Sequence, residues 1–161
     1  MNVMAENASN IKLDHLQIVG ADLPAASGPG EIGILLVSTR GAVVSDNLIT
    51  NVGLGVFVRG PLSGGNRISQ NTVVGGINTP RPLGMCWNPL PGQPNTAPGP
   101  QGDLVYNNHI SQFNTGISFS AGSRGNIAQE NTIAYLTAPF SAATSNVTNA
   151  LEGNIAVQVN P

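Results

Sequence analysis

Charged side chains are scarce in this sequence, and their scarcity excludes several classes of protein. Asp, Glu, Lys and Arg make up only 9% of the 161 residues, against roughly a quarter in ordinary soluble domains. A long amphipathic helix needs a charged face and strong helix formers, and no window of the chain supplies both. With one lysine, Lys12, and a formal net charge of −2, the chain lacks the broad basic surface that nucleic-acid binding requires.

Cysteines and long apolar runs are also lacking. The single cysteine, Cys86, excludes an intramolecular disulfide framework. No apolar run approaches the roughly 18 residues of a membrane span, and the first ten residues lack the basic and apolar regions of a signal peptide. The acidic residues are scattered, with no two within three positions of each other. The sequence therefore predicts no membrane span, no metal site and no cofactor.

Glycine, proline and asparagine are abundant instead, with 20, 12 and 19 residues. This composition favours short strands joined by many turns. An asparagine followed two positions later by an aliphatic residue recurs at Asn47, Asn71, Asn108 and Asn131. The spacings are 24, 37 and 23 residues, which indicates a repeat of about two dozen residues with one large insertion.

Alignment of the repeats on this asparagine gives columns of similar residues. The residue three positions earlier is apolar in every repeat: Leu13, Val44, Ile68, Val105 and Ala128. The residue two positions later is also apolar: Ile18, Ile49, Val73, Ile110 and Ile133. A second strand opens at a small or turn residue: Gly33, Gly55, Gly84, Gly116 and Pro139. Only the asparagine column itself has an exception, Leu16 in the first repeat, and a partial sixth repeat is predicted from the match of 153–156 to 125–128.

Three inserts interrupt this repeat. Two of them, residues 20–31 and 75–83, occur at the same corner of the first and third repeats. The third insert covers residues 88–101 and reads NPLPGQPNTAPGPQ. It is too rich in proline and glycine for a central strand, so we expect a surface loop.

The pattern N-x-I followed by G-I-x-L resembles the right-handed parallel β-helix repeat of the pectate lyase-like superfamily, over most of residues 9–143. The resemblance implies an all-β fold, a single-stranded right-handed parallel β-helix of about six coils with Pro/Gly-rich loop inserts. Stacked asparagines at a corner would hydrogen-bond the backbone and each other. Residues 1–161 are expected to form one such domain, either uncapped or part of a longer helix.

The same resemblance implies several functions. The superfamily contains polysaccharide lyases, glycoside hydrolases, epimerases, phage tailspikes and non-catalytic surface proteins, and it favours a secreted or cell-surface location. Neither a D-x-D calcium cluster nor the Asp-Pro-His-Asp run of the epimerases is present, so no family active site carries over. We expect binding or processing of a carbohydrate, a polysaccharide or glycan. The alternative is a structural module that forms homo-oligomers through its ends or faces.

The candidate catalytic residues are His15 and Asp46, which occupy equivalent positions in adjacent repeats. Stacking would bring their Cβ atoms to about 5 Å. An imidazole beside a carboxylate is able to act as a general base. A surface ion pair accounts for the same pattern without any catalysis.

A second set of candidates would bind the substrate. If Val56 and Val58 point inward, Phe57 and Arg59 point outward, between the two repeats that carry the corner inserts. An exposed ring beside a guanidinium would suit a sugar and its carboxylate, although a loop packed on Phe57 would equally bury the ring. Cys86 and Asn88 would lie beside this pair, and burial is expected for Cys86. The remaining candidates border the long loop, with a core or loop-anchor role as the alternative for the tryptophan: Arg81, Trp87 and Asp103.

Overall fold

The computed structural model describes residues 2–22, 31–78, 82–142 and 149–159, and these residues form an all-β structure built from parallel strands. A six-stranded sheet of three-residue strands, here called the short sheet, has the order β15-β13-β11-β8-β5-β2. Its strands are β2 (Lys12–Asp14), β5 (Val43–Ser45), β8 (Arg67–Ser69), β11 (Leu104–Tyr106), β13 (Ile127–Gln129) and β15 (Ala150–Glu152).

A ten-stranded sheet, here called the long sheet, forms the rest of the structure. Its strands are β1 (Val3–Glu6), β3 (Gln17–Val19), β4 (Ile32–Val37), β6 (Leu48–Val52), β7 (Leu54–Arg59), β9 (Thr72–Gly75), β10 (Leu83–Asn88), β12 (His109–Phe119), β14 (Thr132–Ala142) and β16 (Ile155–Gln158). One row of strands runs β1-β4-β7-β10 and a second runs β3-β6-β9. The long strand β12 pairs with both rows, which joins them into one curled sheet.

Each repeat of the sequence contributes to both sheets, and each strand pairs with its equivalents one repeat away. The two inward columns predicted from the sequence are confirmed by the strand register, which aligns Leu13 with Val44 and Ile18 with Ile49, and continues through the later repeats. The side chains of Val44, Ile68 and Ile49 are fully buried between the sheets. The alternation of inward and outward residues along each strand therefore builds one continuous apolar core.

The predicted asparagine column forms a hydrogen-bonded ladder at the corner between the short sheet and β6, β9, β12 and β14. In this first ladder, each asparagine after Asn47 accepts from the backbone N–H and the side-chain amide of its predecessor, as Asn108 does from Asn71 at 3.0 and 2.9 Å. The side-chain amide then donates to a carbonyl of the preceding repeat, Ile68 O at 2.9 Å for Asn108. The members are Asn47, Asn71, Asn108, Asn131 and Asn154.

Leu16 occupies the ladder position before Asn47 and carries no side-chain amide. Leu16 contributes only its backbone N–H, which donates to Asn47 Oδ1 at 2.9 Å.

The alignment predicted for the sixth repeat is wrong. Asn154 accepts a hydrogen bond from the side-chain amide of Asn131, so its equivalent in the preceding repeat is Asn131 and not Asn126. The pairing of β16 with β14 gives the same alignment. The equivalent of Asn126 is Asn149, whose side chain accepts from the Asn126 amide at 3.1 Å. The asparagine of a Gly-Asn pair belongs to the second ladder at 125–126 and to the first ladder at 153–154, so the match between the two pairs does not indicate equivalent positions.

Candidate ligand-binding site at the loop corner

A second ladder lines the corner at which the chain passes from the long sheet into the short sheet, here called the loop corner. Asn66 accepts from the Ala42 backbone N–H at 2.9 Å, and Asn126 accepts from the Asp103 backbone N–H at 3.0 Å. The members of this second ladder are Asn66, Asp103, Asn126 and Asn149. Each lies five residues before a member of the first ladder, a spacing that would have revealed the second ladder in the sequence.

Trp87 and Asp103 join the two ends of the 88–101 loop beneath this corner. The indole Nε1–H donates to Asp103 Oδ2 at 2.7 Å, and the two side chains are 0% and 1% exposed. Both were predicted to contact a substrate, and their burial leaves neither on the surface. Trp87 lies at the base of the loop, in agreement with the alternative interpretation that it anchors the loop. Its ring packs edge-on against the Phe119 ring, with 5.0 Å between the two ring centroids.

Asp103 is a carboxylate in a column otherwise made of asparagines. Burial raises its pKa to about 6, while the Asn66 backbone N–H, the Trp87 indole and the Asn66 side chain act in the opposite direction. Removal of a carboxylate from water disfavours its charged form, and N–H donors favour it. The position thus holds an acid that gains or loses its proton near neutral pH.

A notch opens at Gly64 on the outer surface of the loop corner. Single bridges stack Arg40, Gly64, Gln101 and Arg124 in successive repeats, and the glycine leaves a gap between its longer neighbours. A methyl group at Gly64 would collide with the Gln101 carbonyl oxygen, so the narrow stacking itself requires glycine. The resulting pocket of about 220 Å³ is lined by Arg40, Pro61, Ser63, Gly64 and Gln101.

A second pocket of about 230 Å³ adjoins the first across Pro61. Its other walls come from the 88–101 loop: Leu90, Gln93, Ala97 and Pro98. The Leu90 side chain lies over Gly60, the residue that follows β7. This contact places the 88–101 loop beside the turn at Pro61. Backbone bonds fix the rest of the loop, with Gly122 N–H donating to Asn95 O at 2.9 Å and Gly99 N–H to Gly122 O at 3.0 Å. The sequence predicted the loop but not these pockets.

The two pockets combine hydrogen-bonding groups with apolar surfaces. The guanidinium of Arg40 is held by a bond from Nε to Leu62 O at 3.0 Å, which leaves its two terminal NH₂ groups directed elsewhere. Among the described residues, the ion pairs are those of Asp14 with Lys12 and with His15. Arg40 therefore has no carboxylate partner in this part of the chain. Gln93 and Gln101 add amides, which both donate and accept. Such a lining is able to hold a ligand that has both hydroxyl and C–H surfaces.

The groove predicted around Phe57 and Arg59 is only partly found. The register places Cys86 beside Phe57 and Asn88 beside Arg59, as expected. Phe57 is 6% exposed, so the ring is buried, which is one of the two alternatives that the sequence left open. The ring is buried because the outer face of β4, β7 and β10 has its own apolar cluster, which consists of Leu35, Leu54, Phe57 and Cys86.

Arg59 lies across this outer cluster. Its guanidinium carbon is 4.4 Å from the Phe57 ring centroid, a cation–π contact that covers the ring. Its Nε is buried and has no hydrogen-bond partner among the described residues. Burial also raises the pKa of the Cys86 thiol to about 12, which keeps the thiol protonated. The substrate-binding roles of Arg59 and Asn88 stay predictions.

The two corner inserts contact each other within the described residues. Asn78 donates to Asp22 through its backbone N–H at 3.0 Å and its side-chain amide at 3.1 Å. These residues belong to the inserts of the first and third repeats. Arg81, a predicted substrate contact, lies outside the described residues.

His15 and Asp46 occupy equivalent positions of adjacent repeats, and both are exposed to solvent. The carboxylate that His15 contacts, however, is that of its neighbour Asp14, at 3.1 Å from Nδ1. Asp14 also pairs with Lys12 at 2.7 Å, and its hydrogen bonds from Lys12 and then His15 lower its pKa. The catalytic role of His15 and Asp46 stays a prediction, and neither residue lines the two pockets of the loop corner.

Residues 2–22, 31–78, 82–142 and 149–159 contain no group of three His, Cys, Asp or Glu side chains placed to hold a metal ion. The same residues contain no helix long and apolar enough to cross a membrane. Comparisons with protein-family models, with curated proteins and with solved structures gave no match to this chain.

Proposed function

We propose that this chain is a right-handed parallel β-helix of the pectate lyase-like type that binds a carbohydrate at the two pockets of the loop corner. The observation that carries the proposal is the Arg40 guanidinium, which is held by Leu62 O, has no carboxylate partner among the described residues, and lies beside the apolar surfaces of Pro61, Leu90 and Pro98. A sugar offers hydroxyl edges to such donors and C–H faces to such apolar walls. Stacked repeats also present extended surfaces, which suit a linear polymer.

The two pockets together match the usual form of a small-ligand site. They are shallow, and the polar groups of Arg40, Ser63 and Gln101 lie beside the apolar walls of Pro61, Leu90 and Pro98, a combination that fixes orientation in known sites. Their walls come from three successive repeats, through Arg40, Gly64 and Gln101. A ligand held there would lie along the stacking direction, beside a loop anchored at both ends.

Affinity electrophoresis through gels that contain pectate, alginate or a neutral glucan tests this proposal. The wild-type protein is expected to be retarded by at least one polymer. Arg40→Gln keeps most of the side-chain length and removes the charge, and it should weaken binding by about tenfold, the usual scale for a hydrogen bond to a charged group. Isothermal titration with oligosaccharides of the retained polymer would give the affinity itself.

Arg124→Gln is the matched control. Arg124 occupies the same stacked column and is exposed, but it lines neither pocket. The proposal requires that Arg124→Gln binds like the wild type. Equal losses in both variants would indicate unspecific charge attraction, and a loss confined to Arg59→Gln would assign the site to the outer face of β7 instead. No retardation by any polymer would contradict carbohydrate binding.

Assembly through the last repeat is a second candidate function. Leu151, Ile155 and Val157 are 42%, 63% and 55% exposed, and within the described residues β15 and β16 each pair with a strand on one side only. An apolar strand edge of this kind is a template for pairing with another chain. Sedimentation velocity at increasing concentration should show an oligomer that Val157→Lys dissociates.

Val19→Lys provides the control for this assembly. Val19 lies in β3, at the opposite end of the same stack, and is 54% exposed. If the last repeat forms the contact, Val19→Lys leaves the oligomer intact. A wild type that stays monomeric at every concentration would refute assembly and leave the carbohydrate proposal untouched.

A further inference from the structure

Both ends of the 88–101 loop meet at one buried hydrogen bond. Trp87 lies just before the loop in β10, and Asp103 lies just before β11. The bond from Trp87 Nε1 to Asp103 Oδ2 measures 2.7 Å. Gln101, a wall of the first pocket, is two residues from Asp103, and Leu90, a wall of the second, is three residues from Trp87. The bond therefore closes the base of the loop that shapes both pockets.

Asp103 differs from the asparagines with which it is stacked. Asn66 and Asn126 use their side-chain N–H groups to reach carbonyls of the preceding repeat, Thr39 O and Pro100 O. A carboxylate has no such N–H, and its second oxygen accepts from the indole instead. An ionised carboxylate is a stronger acceptor for Trp87 than an amide oxygen, which gives a physical reason for aspartate at this position.

The groups that face the carboxylate are neutral. Asn66 donates its backbone N–H to Oδ1 at 2.7 Å, Trp87 donates to Oδ2, and Asn126 accepts from the Asp103 backbone. No charged side chain of the described residues contributes to the pKa of Asp103. Desolvation is the main influence, and it raises that pKa to about 6. The protonation state of Asp103 is thus set by burial and by these three neighbours.

We propose that the Trp87–Asp103 bond is a pH-sensitive anchor of the 88–101 loop, firm when Asp103 is ionised and weakened when it is protonated. A hydrogen bond to a charged acceptor is roughly twice as strong as one to a neutral acceptor. A protonated Asp103 also has an O–H to donate toward Asn126 Oδ1, as a ladder amide does. The loop base then loses part of its hold on the pocket walls.

The effect on ligand binding depends on the proposed function, whereas the anchor itself does not. Affinity for the retained glycan should fall about fivefold from pH 7.5 to pH 5, the scale expected when a charged hydrogen bond becomes a neutral one. Asp103→Asn cannot change charge, so its affinity should not vary over this range. Glu6→Gln removes an exposed carboxylate in β1, three strands away from β10, and should behave like the wild type.

Overall stability should change in the opposite direction, which gives a second signature. A folded-state pKa raised to about 6, from 3.8 in the unfolded chain, contributes stability that is complete below pH 3.8 and is lost as the pH rises through 6. Between pH 3 and pH 7 the unfolding equilibrium constant of the wild type should rise on the order of a hundredfold relative to that of Asp103→Asn.

The anchor can be tested without any ligand, because Trp87 is the only tryptophan and gives a single indole resonance. In ¹H–¹⁵N spectra from pH 4.5 to 7.5, this resonance should titrate with a midpoint near 6 in the wild type and in Glu6→Gln. It should not titrate in Asp103→Asn. An opening that breaks the Trp87 bond while Asp103 stays buried should be faster at pH 5, because the Trp87 bond favours the ionised carboxylate. Hydrogen exchange at the Gln101 amide, which donates to Ser63 O at 3.1 Å, should report this opening after correction for intrinsic rates.

Each outcome decides the inference. An indole resonance that does not move, or that moves equally in Asp103→Asn, refutes the anchor. A titrating resonance with unchanged Gln101 exchange and unchanged glycan affinity refutes its control of the pockets. If no glycan binds at any pH, the proposed function fails, and the exchange data still decide whether the anchor loosens the loop.

Discussion

Asn108→Ala is expected to lower the free energy of unfolding by about 3 kcal/mol or more. The substitution leaves the backbone N–H and the side-chain amide of Asn71 without their common acceptor. It also removes the donor to Ile68 O and to Asn131 Oδ1. All these groups are buried, and each buried polar group left unpaired costs about 1 to 3 kcal/mol. Urea unfolding followed by circular dichroism would measure the loss.

Asn114→Ala is the matched control, since it makes the same chemical change at an exposed position of β12. A surface substitution of this kind usually alters stability by no more than about 0.5 kcal/mol. If both variants lost the same small amount, the ladder would not hold the repeats together. A large loss in Asn108→Ala alone would establish it as a main source of stability at this corner.

Gly55→Ala is expected to be at least as damaging, with a loss of about 3 kcal/mol or more. Gly55 opens the inner face of β7, where an added methyl group would collide with the Gly84 carbonyl oxygen and with a methyl group of Val73. The backbone of the next repeat cannot move away without breaking the parallel pairing of β7 and β10. The midpoint of thermal unfolding would show the effect.

Gly65→Ala separates this steric effect from the general cost of replacing glycine. Gly65 has φ of 64°, and no atom lies within 4 Å of an added methyl group. That substitution should cost about 1 kcal/mol, the penalty for a left-handed backbone at alanine. The account of close stacking fails if Gly55→Ala is no worse than Gly65→Ala.

The repeat register was predictable because it depends on simple periodicities. Strand alternation places Val56 and Val58 inward, and the same rule applied to β10 places Met85 and Trp87 inward as well. The burial of Trp87 was therefore available from the alignment, although its size and its place beside the loop favoured a surface role. Its partner Asp103 was harder to predict, because it is the one aspartate in a column whose other described members are asparagines.

The exposure of Phe57 was not predictable from alternation alone. Alternation tells which face of a sheet a residue occupies, but not whether that face is in contact with solvent. Here the outward residues Leu35, Phe57 and Cys86 are aligned across three repeats and form their own buried cluster. In β4 and β7 apolar residues occupy the outward as well as the inward positions, and this was the signal available in the sequence.

The pockets of the loop corner depend on irregular structure, and this explains why the sequence did not reveal them. The path of 88–101 is set by its prolines and by single backbone bonds such as the one from Gly122 to Asn95 O. The notch at Gly64 arises only when Arg40 and Gln101 are stacked on either side of it. Neither feature has a repeating pattern, whereas the sheets and the first ladder do.

A ¹H–¹⁵N titration with the glycan retained in electrophoresis tests the central claim most directly, because it locates the ligand on the surface. The account predicts that the largest amide shifts occur at the pocket walls, with Ser63, Gly64 and Gln101 foremost. Residues of the opposite corner, such as Asp46 and Gln70, should not respond. Shifts centred on His15 and Asp46 or on Arg59, or no shifts at saturating glycan, would contradict binding at the loop corner.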